Sequence, residues 1–448
     1  MSDVFIKNGI NFSHPCGGRG VCEKCKVLVD GKKTLSCRYT VHSDIVVSFC
    51  ESGEITPQSD GKVTDGRSEN LAFALDVGTT SLELALVSCD TSTILKKVAS
   101  RNPQSVFGAD VISRIDYCRK HSTEPLKNVL VEKINVLVES FGLKVAPDMY
   151  VSGNTVMIHI LFGADPSPMG VAPYKPRFTD GLTESGVKIG IKKIGNVISL
   201  PCISAFAGAD LVAGMNFVGM PPTGKYNLLV DLGTNAETVI FSHNSALCTS
   251  AAAGPCFEGV NIVCGMTASD GAVCSFNICE NGEPHFKTVG DVPAAGICAT
   301  GLIDIISELH EHGIIDETGY MECEKYRITD NVYLSQADIR QYQLAKSAVC
   351  SAIITLVKKA GADFKDIHRL YISGGFSAKL NVNSAVKTGL LPKELKEKVL
   401  AVNNSSLEGT VKFACGKNNL CEYLKNAEYI DLSTDETFSG LFMNNMEF

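Results

Sequence analysis

The chain has 448 residues, 45% hydrophobic and 20% charged, with a formal net charge of -8 at pH 7. A chain this long exceeds one hydrophobic core and divides into two or three domains, and its composition is that of an ordered globular protein. The acidic balance excludes nucleic acid or an anionic membrane as the main partner, since either calls for a basic patch that releases counterions.

No basic segment followed by an apolar run opens the chain, and no stretch reaches the ~18 apolar residues of a membrane span. A cytoplasmic protein is expected. Most of the 18 cysteines stand alone as small apolar residues. Thiols in that number suggest a reducing cytosol, such as an anaerobe keeps, and no disulfide scaffold.

The first element is HPCGGRGVCEKCKV, from His14 to Val27. Cys16, Cys22 and Cys25 form C-x5-C-x2-C, and Cys37 follows a strand-like KCKVLVDGKK with a hairpin turn at Asp30-Gly31. Four thiolates can thus meet around one metal centre. Gly17, Gly18 and Gly20 allow the loop to take positive φ and to aim N–H groups at the sulfurs. A glycine-rich loop with C-x2-C and a distant fourth Cys is similar to the plant-type 2Fe-2S pattern, with one extra residue in the first gap. Zinc is the alternative, although it favours two paired knuckles. Cys50 is a substitute fourth ligand, in a stretch that reads more like a strand end. A module this small is marginal without a staple, which a cluster would supply. Residues 1–55 are therefore read as this module and 56–70 as a linker.

Next comes LAFALDVGTTSLELALV (71–87), repeated as YNLLVDLGTNAETVIFS (226–242) with Asp76 and Asp231 in equivalent places. The duplication predicts two similar α/β lobes, 71–225 and 226–448. Each repeat reads as a β-hairpin whose Gly-Thr turn offers N–H and hydroxyl donors to phosphate oxygens. A strand-end aspartate would repel a bare phosphate, so each implies an intervening Mg2+ ion. Two facing hairpins would clamp a nucleotide's phosphates. Further on, LYISGGFSAKL (370–380) runs a strand into Gly374-Gly375, where backbone can approach a base or ribose.

Each piece alone is a common turn, but their order and spacing resemble the phosphate-1, phosphate-2 and adenosine motifs of the ASKHA superfamily, over residues 70–448. A 2Fe-2S module followed by such an ATPase resembles the reductive activators of corrinoid proteins. The segments NPQSVFGADVISRI (102–115), VSGNTVMIHILFGADPSPMGVAPY (151–174), AGICATGLIDIISEL (295–309) and NNSSLEGTVKFA (403–414) are similar to that family too.

The resemblance implies an α/β architecture, with a small β-rich ferredoxin-like module ahead of a two-lobed, duplicated RNase H-like ATPase. It implies a 2Fe-2S cluster on Cys16, Cys22, Cys25 and Cys37. For ATP it implies Asp76, Gly78, Thr79 and Thr80 on one turn, Asp231, Gly233, Thr234 and Asn235 on the other, and Gly374 and Gly375 near adenosine. Gly301 and Asp304 either border the nucleotide or are a helix start packed on the sheet. The implied reaction is ATP-dependent reduction of cobalt(II) to cobalt(I) in the corrinoid protein of a methyltransferase system, served by an electron donor, the activator being a homodimer. Such a reduction is uphill for a 2Fe-2S donor near about -400 mV, which is why an ATPase is attached. Two departures are expected. The family's longer ferredoxin domain and separate middle domain are missing ahead of Asp76, and Cys415 and Cys421 are too few for the C-terminal 4Fe-4S motif of other corrinoid activators.

Several residues carry two readings. Glu237 either positions a water for attack on the γ-phosphate or faces solvent. His159 is a metal ligand or, more in keeping with its apolar helix, a packed core residue. His310 and His312 face opposite sides of a helix, which argues against a shared metal. The competing functions are a small-molecule kinase with a redox-regulatory module, for which Asp210 is the only base in view, and an ATP-gated redox sensor.

Overall fold

Alternation in KVLV and KKTL makes two short strands, Lys26–Val29 (β1) and Lys32–Leu35 (β2), which pair antiparallel and are joined by Val47–Phe49 (β3) in the order β2-β1-β3. The two-residue period puts Val27 and Val29 on one face, where they are buried with Phe5 against Tyr39, Ile45 and Val47. Asp30 takes a φ of 47°, as the predicted turn requires, and its carboxylate accepts the Val46 N–H at 2.9 Å. The computed structural model describes residues 4–5, 26–30, 32–42, 45–49, 70–280, 282–417 and 424–448. Cys16, Cys22, Cys25 and Cys50 lie outside these, as does most of the expected linker.

The chain divides into two compact units, residues 1–217 with 406–418, and residues 218–405 with 419–448. In the first, the near-continuous apolar run of Leu71–Val77 (β4) makes a strand buried on both faces. Ser81–Ser88 (β5) and Thr93–Arg101 (β6) fold back from it as an antiparallel meander. After the helices Val111–Lys120 (α1) and Glu124–Glu139 (α2), Asp148–Gly153 (β7) adds parallel to β4. A short helix, Thr155–Leu161 (α3), follows, and Thr183–Ser185 (β8) and Asn196–Ser199 (β9) complete the sheet in the order β6-β5-β4-β7-β9-β8. The helix Ala209–Val218 (α4) comes next.

The second unit repeats the scheme. Tyr226–Leu232 (β10), Ala236–Phe241 (β11) and Ala246–Ala251 (β12) form the meander. An insertion carries a small sheet of Ala272–Ile278 (β13), Pro284–Thr288 (β14) and Gly296–Ile297 (β15), with the helix Ala299–Glu311 (α5) packed on β13. The 24-residue helix Gln336–Lys359 (α6) opens on a capping box of Ser335 and Asp338. Ile367–Ser373 (β16) and Val399–Ala401 (β17) then add parallel beside β10, and Ala427–Tyr429 (β18) joins the far edge, giving β17-β16-β10-β11-β12-β18. The predicted duplication is thus a duplicated sheet, and both 71–87 and 226–242 are hairpins.

Helix Ser405–Ala414 (α7) packs Leu407 and Val411 on Ala74, Ala85 and Val87 of the first unit's sheet. Its Gly409 lies so close to α4 that an added Cβ would stand 1.7 Å from the Ala213 carbonyl oxygen. Gly440, inside the helix Glu436–Asn444 (α8), has open space instead. Gly409→Ala is expected to lower stability by about 1–3 kcal/mol through overpacking. Gly440→Ala is expected to raise it by roughly 0.5–1 kcal/mol through helix propensity. Urea unfolding of both variants reads the opposite signs.

Candidate functional site

The first Gly-Thr turn joins β4 to β5, and every one of its carbonyls is held from behind. The buried Asn102 donates its side-chain N–H to the Gly78 carbonyl at 2.8 Å and its backbone N–H to that of Thr80 at 2.9 Å. Arg114, on α1, donates to the Thr79 carbonyl at 2.6 Å. Carbonyls used in this way cannot face an anion, and the opposite side of the turn is its donor side. At the end of β4, Asp76 is half-buried and its Oδ1 accepts the Ser406 hydroxyl at 2.8 Å. The same hydroxyl lies 2.8 Å from that of Ser152, the β7 residue in register with Asp76.

The second turn is built differently. Gly233 closes it by donating to the Asn235 carbonyl at 2.9 Å, and the Thr234 hydroxyl donates to Glu258 Oε1 at 2.8 Å. Asp231 stands directly across the hairpin from Glu237, so the two half-buried carboxylates share a face. The half-buried Glu237 accepts from the Ser250 hydroxyl on the neighbouring strand at 3.4 Å. In the first hairpin Glu83 holds the matching place opposite Asp76, and it pairs with Lys97 at 3.3 Å. Glu83 and Glu258 were not singled out from sequence. The glutamate three to four residues beyond each D-x-G-T was a readable signal for the first, whereas nothing local marks the second.

Gly374 has a φ of 119°, and a Cβ there would stand 2.2 Å from the Leu232 carbonyl oxygen, so the end of β10 alone requires glycine. Gly375 faces open space. Gly153, at the end of β7, repeats the arrangement, with a φ of 149° and a Cβ position 2.5 Å from the Val77 carbonyl oxygen. Gly301 is explained by packing, because its Cβ would stand 2.0 Å from the Val273 carbonyl oxygen of β13. Asp304 is 4% exposed with one unbonded carboxylate oxygen, and burial raises its pKa.

His159 is fully buried on α3 and stacks on Phe178 with ring centroids 4.1 Å apart. Its Nδ1 bonds the Thr155 carbonyl at 2.8 Å and its Nε2 accepts the Arg177 N–H at 3.1 Å, so both nitrogens are spent on a neutral ring. Burial holds its pKa below the ordinary value. His310 and His312 bond separately to the Ile315 and Glu308 carbonyls. Cys37 sits half-buried on the turn Ser36–Arg38 at the end of β2.

Asp210 occupies the first turn of α4, where the helix dipole and the Leu211 N–H at 2.8 Å both favour the anion. Burial and the nearby Asp76 outweigh them and push its carboxyl up to about 7. A folded-state pKa above the unfolded value means that the folded protein keeps a proton the unfolded chain has lost. Stability from this group is therefore full below ~4 and falls as pH rises toward ~7. Asp210→Asn removes that loss. After a discount for partial exposure, the variant is expected to gain about 1–2 kcal/mol over wild type between pH 5 and pH 8. Denaturant unfolding of the pair at both pH values checks this, and a constant difference would mean that Asp210 ionises normally.

Comparison with known proteins places this geometry. Residues 225–448 match the family model described as the C-terminal domain of RACo, the ASKHA domain, and residues 71–223 match that of the RACo middle region. The middle region expected to be missing is therefore present, in the segment that carries the first hairpin. The chain is 24% identical to the corrinoid activation enzyme RamQ of Eubacterium limosum, over 100% of this chain and 96% of that protein. It is 22% identical to the [Co(II) methylated amine-specific corrinoid protein] reductase of Methanosarcina barkeri, over 84% of this chain and 76% of that one. A solved reductive activator for corrinoid,iron-sulfur protein shares its fold, with a TM-score of 0.75 at 24% identity over 100% of this chain and 95% of the other. Among the described residues no helix is long and apolar enough to cross a membrane. With half of its residues matched by the ASKHA domain of RACo and most of the remainder by the middle region, the chain belongs to the RACo family, the reductive activators of corrinoid proteins.

Proposed function

We propose that this protein is an ATP-dependent reductive activator that reduces the cobalt(II) of a corrinoid protein to cobalt(I). The observation that carries the proposal is the end-to-end match to a corrinoid activation enzyme, over 100% of this chain and 96% of that one, in a chain that also holds two D-x-G-T hairpins. On this reading the turns 78–80 and 233–235 are each phosphate-binding turns, and Asp76 and Asp231 are each suited to hold Mg2+ through its water shell. Glu237 orients the attacking water beside Asp231, and the open space at Gly375 receives adenosine. Gly301 keeps α5 against β13. Nucleotide state then changes the grip on the corrinoid partner, and differential binding of the two states draws the uphill reduction forward.

The site proposed for the 2Fe-2S cluster is formed by Cys16, Cys22, Cys25 and Cys37. Cys37 fits a ligand's place, half-buried on a turn at the edge of the small sheet. When bound, the cluster supplies one-electron transfer. An external electron donor, a methyltransferase system as the source of the corrinoid protein, and a homodimeric state complete the proposal.

A kinase is the second reading, and Asp210 favours it, because a carboxyl raised to about 7 suits a general base. Anaerobic assay with a purified corrinoid protein separates the two. Wild type is expected to carry about two irons and two sulfides and to produce the cobalt(I) spectrum only with ATP. Asp231→Asn should keep its iron and lose at least ~10-fold in rate, whereas Cys22→Ala should lose iron and reduction but still bind ATP. Phosphorylation of a small hydroxylated compound without cobalt reduction would transfer the proposal to the kinase.

A further inference from the structure

Arg114 is fully buried, and it heads the largest side chains so enclosed. Its Nε donates to the Gly108 carbonyl at 3.0 Å, and its Nη1 to Gln104 Oε1 at 3.2 Å and Met157 Sδ at 3.1 Å. Its Nη2 donates to the Thr79 carbonyl at 2.6 Å. All four acceptors are neutral. Asp110 is the one carboxylate that acts on it, and it does so from a distance, being engaged as the N-cap of α1 with the Ser113 N–H at 2.7 Å. Among the described residues no carboxylate forms an ion pair with Arg114. Burial lowers its pKa to about 10, which leaves it charged at neutral pH.

Enclosed charges are normally paired, because an unpaired ion in a low-dielectric interior is costly. Arg114 has one route to a counter-charge, through Thr79. The Thr79 carbonyl belongs to the same peptide unit as the Thr80 N–H, so a cation on the oxygen polarises that unit and strengthens the N–H as a donor. Asn102 acts likewise through the Gly78 carbonyl on the Thr79 N–H. We infer that the counter-charge of Arg114 is the outer phosphates of the bound ligand, sensed through the turn 78–80, which makes Arg114 a positioning residue that sets affinity for those phosphates and not for the nucleoside monophosphate. The inference rests on the reading that this turn receives a nucleotide.

The test is calorimetric binding of ATP and of AMP to the full chain, with wild type, Arg114→Gln and Arg114→Lys. Arg114→Gln is expected to weaken ATP at least ~10-fold and AMP by no more than ~2-fold, since a buried charge is little screened. Arg114→Lys keeps the charge but not the fork that reaches Thr79, and its ATP-to-AMP affinity ratio is expected to fall only ~3-fold. Equal weakening of ATP and AMP, the mark of a purely structural role, overturns the inference, and so does an unchanged ATP affinity. Should Arg114→Gln fail to fold, the ratio measured on Arg114→Lys decides alone, an unchanged ratio overturning the inference. A wild type that binds neither nucleotide overturns the nucleotide reading and this one with it, whereas a wild type that binds ATP, with variants that behave identically, overturns this one only.

Discussion

A backbone turn can hold an anion only if its carbonyls are kept away from it. In the first hairpin three carbonyls in a row are taken up by Asn102 and Arg114, and the site of this unit depends on that arrangement. The segment 102–114 exists as structure because the turn Pro103–Val106 and helix α1 are themselves capped, by Asn102 and Asp110 respectively. One of these residues therefore serves twice. Asn102 caps one element and holds the turn, and Arg114 is set into place by α1. No buried side-chain nitrogen or oxygen of Asn102, Gln104 or Arg114 is left without a partner, which is what makes such a network rigid and not merely expensive.

The two units share a sheet and not a chemistry. In each, the strand-end aspartate lies in register with a serine on the neighbouring parallel strand, Asp76 with Ser152 and Asp231 with Ser373. In each, the residue after that serine is a glycine pressed on the carbonyl that follows the aspartate, and only positive φ makes the fit possible. The turns differ in charge. A buried guanidinium backs the first, whereas Thr234 of the second bonds a carboxylate and Asp231 shares its face with Glu237.

How much of this was legible follows from sequence distance. The hairpins, their aspartates and the strand-end glycines were readable because strand, turn and strand are contiguous. The pair YVSG and YISG, at 150–153 and 371–374, was equally open to reading, and it marks the fourth strand of each repeat. His159 was legible as a packed residue because the residues flanking it in its helix, Met157, Ile158, Ile160 and Leu161, are apolar. Arg114 was not, since an arginine in a polar-looking helix reads as solvent-facing until the turn it supports is in place. The bond from Ser406 to Asp76 spans 330 residues, and no local pattern announces it. Gly301 had two readings, bordering the nucleotide or starting a helix packed on the sheet, because a glycine serves either in the same sequence pattern. The close approach to Val273 accounts for the glycine by packing. Three of the four proposed cluster thiolates lie outside the described residues, so the opening cysteines remain an argument from spacing.

The charges of the first unit make sense only together. Asp76 and Asp210 repel, and the conflict is resolved by a proton that Asp210 keeps up to about 7, against both a helix N-terminus and a backbone N–H that favour its anion. Arg114 does not relieve it, because its fork is directed at the turn and at neutral acceptors. The unit therefore stores an unpaired cation under the turn and an excess of carboxylate at the strand end. A purely anionic ligand would satisfy the first and worsen the second, and a bare cation would do the reverse. A ligand that brings both signs, as a magnesium-bound nucleotide does, satisfies both at once.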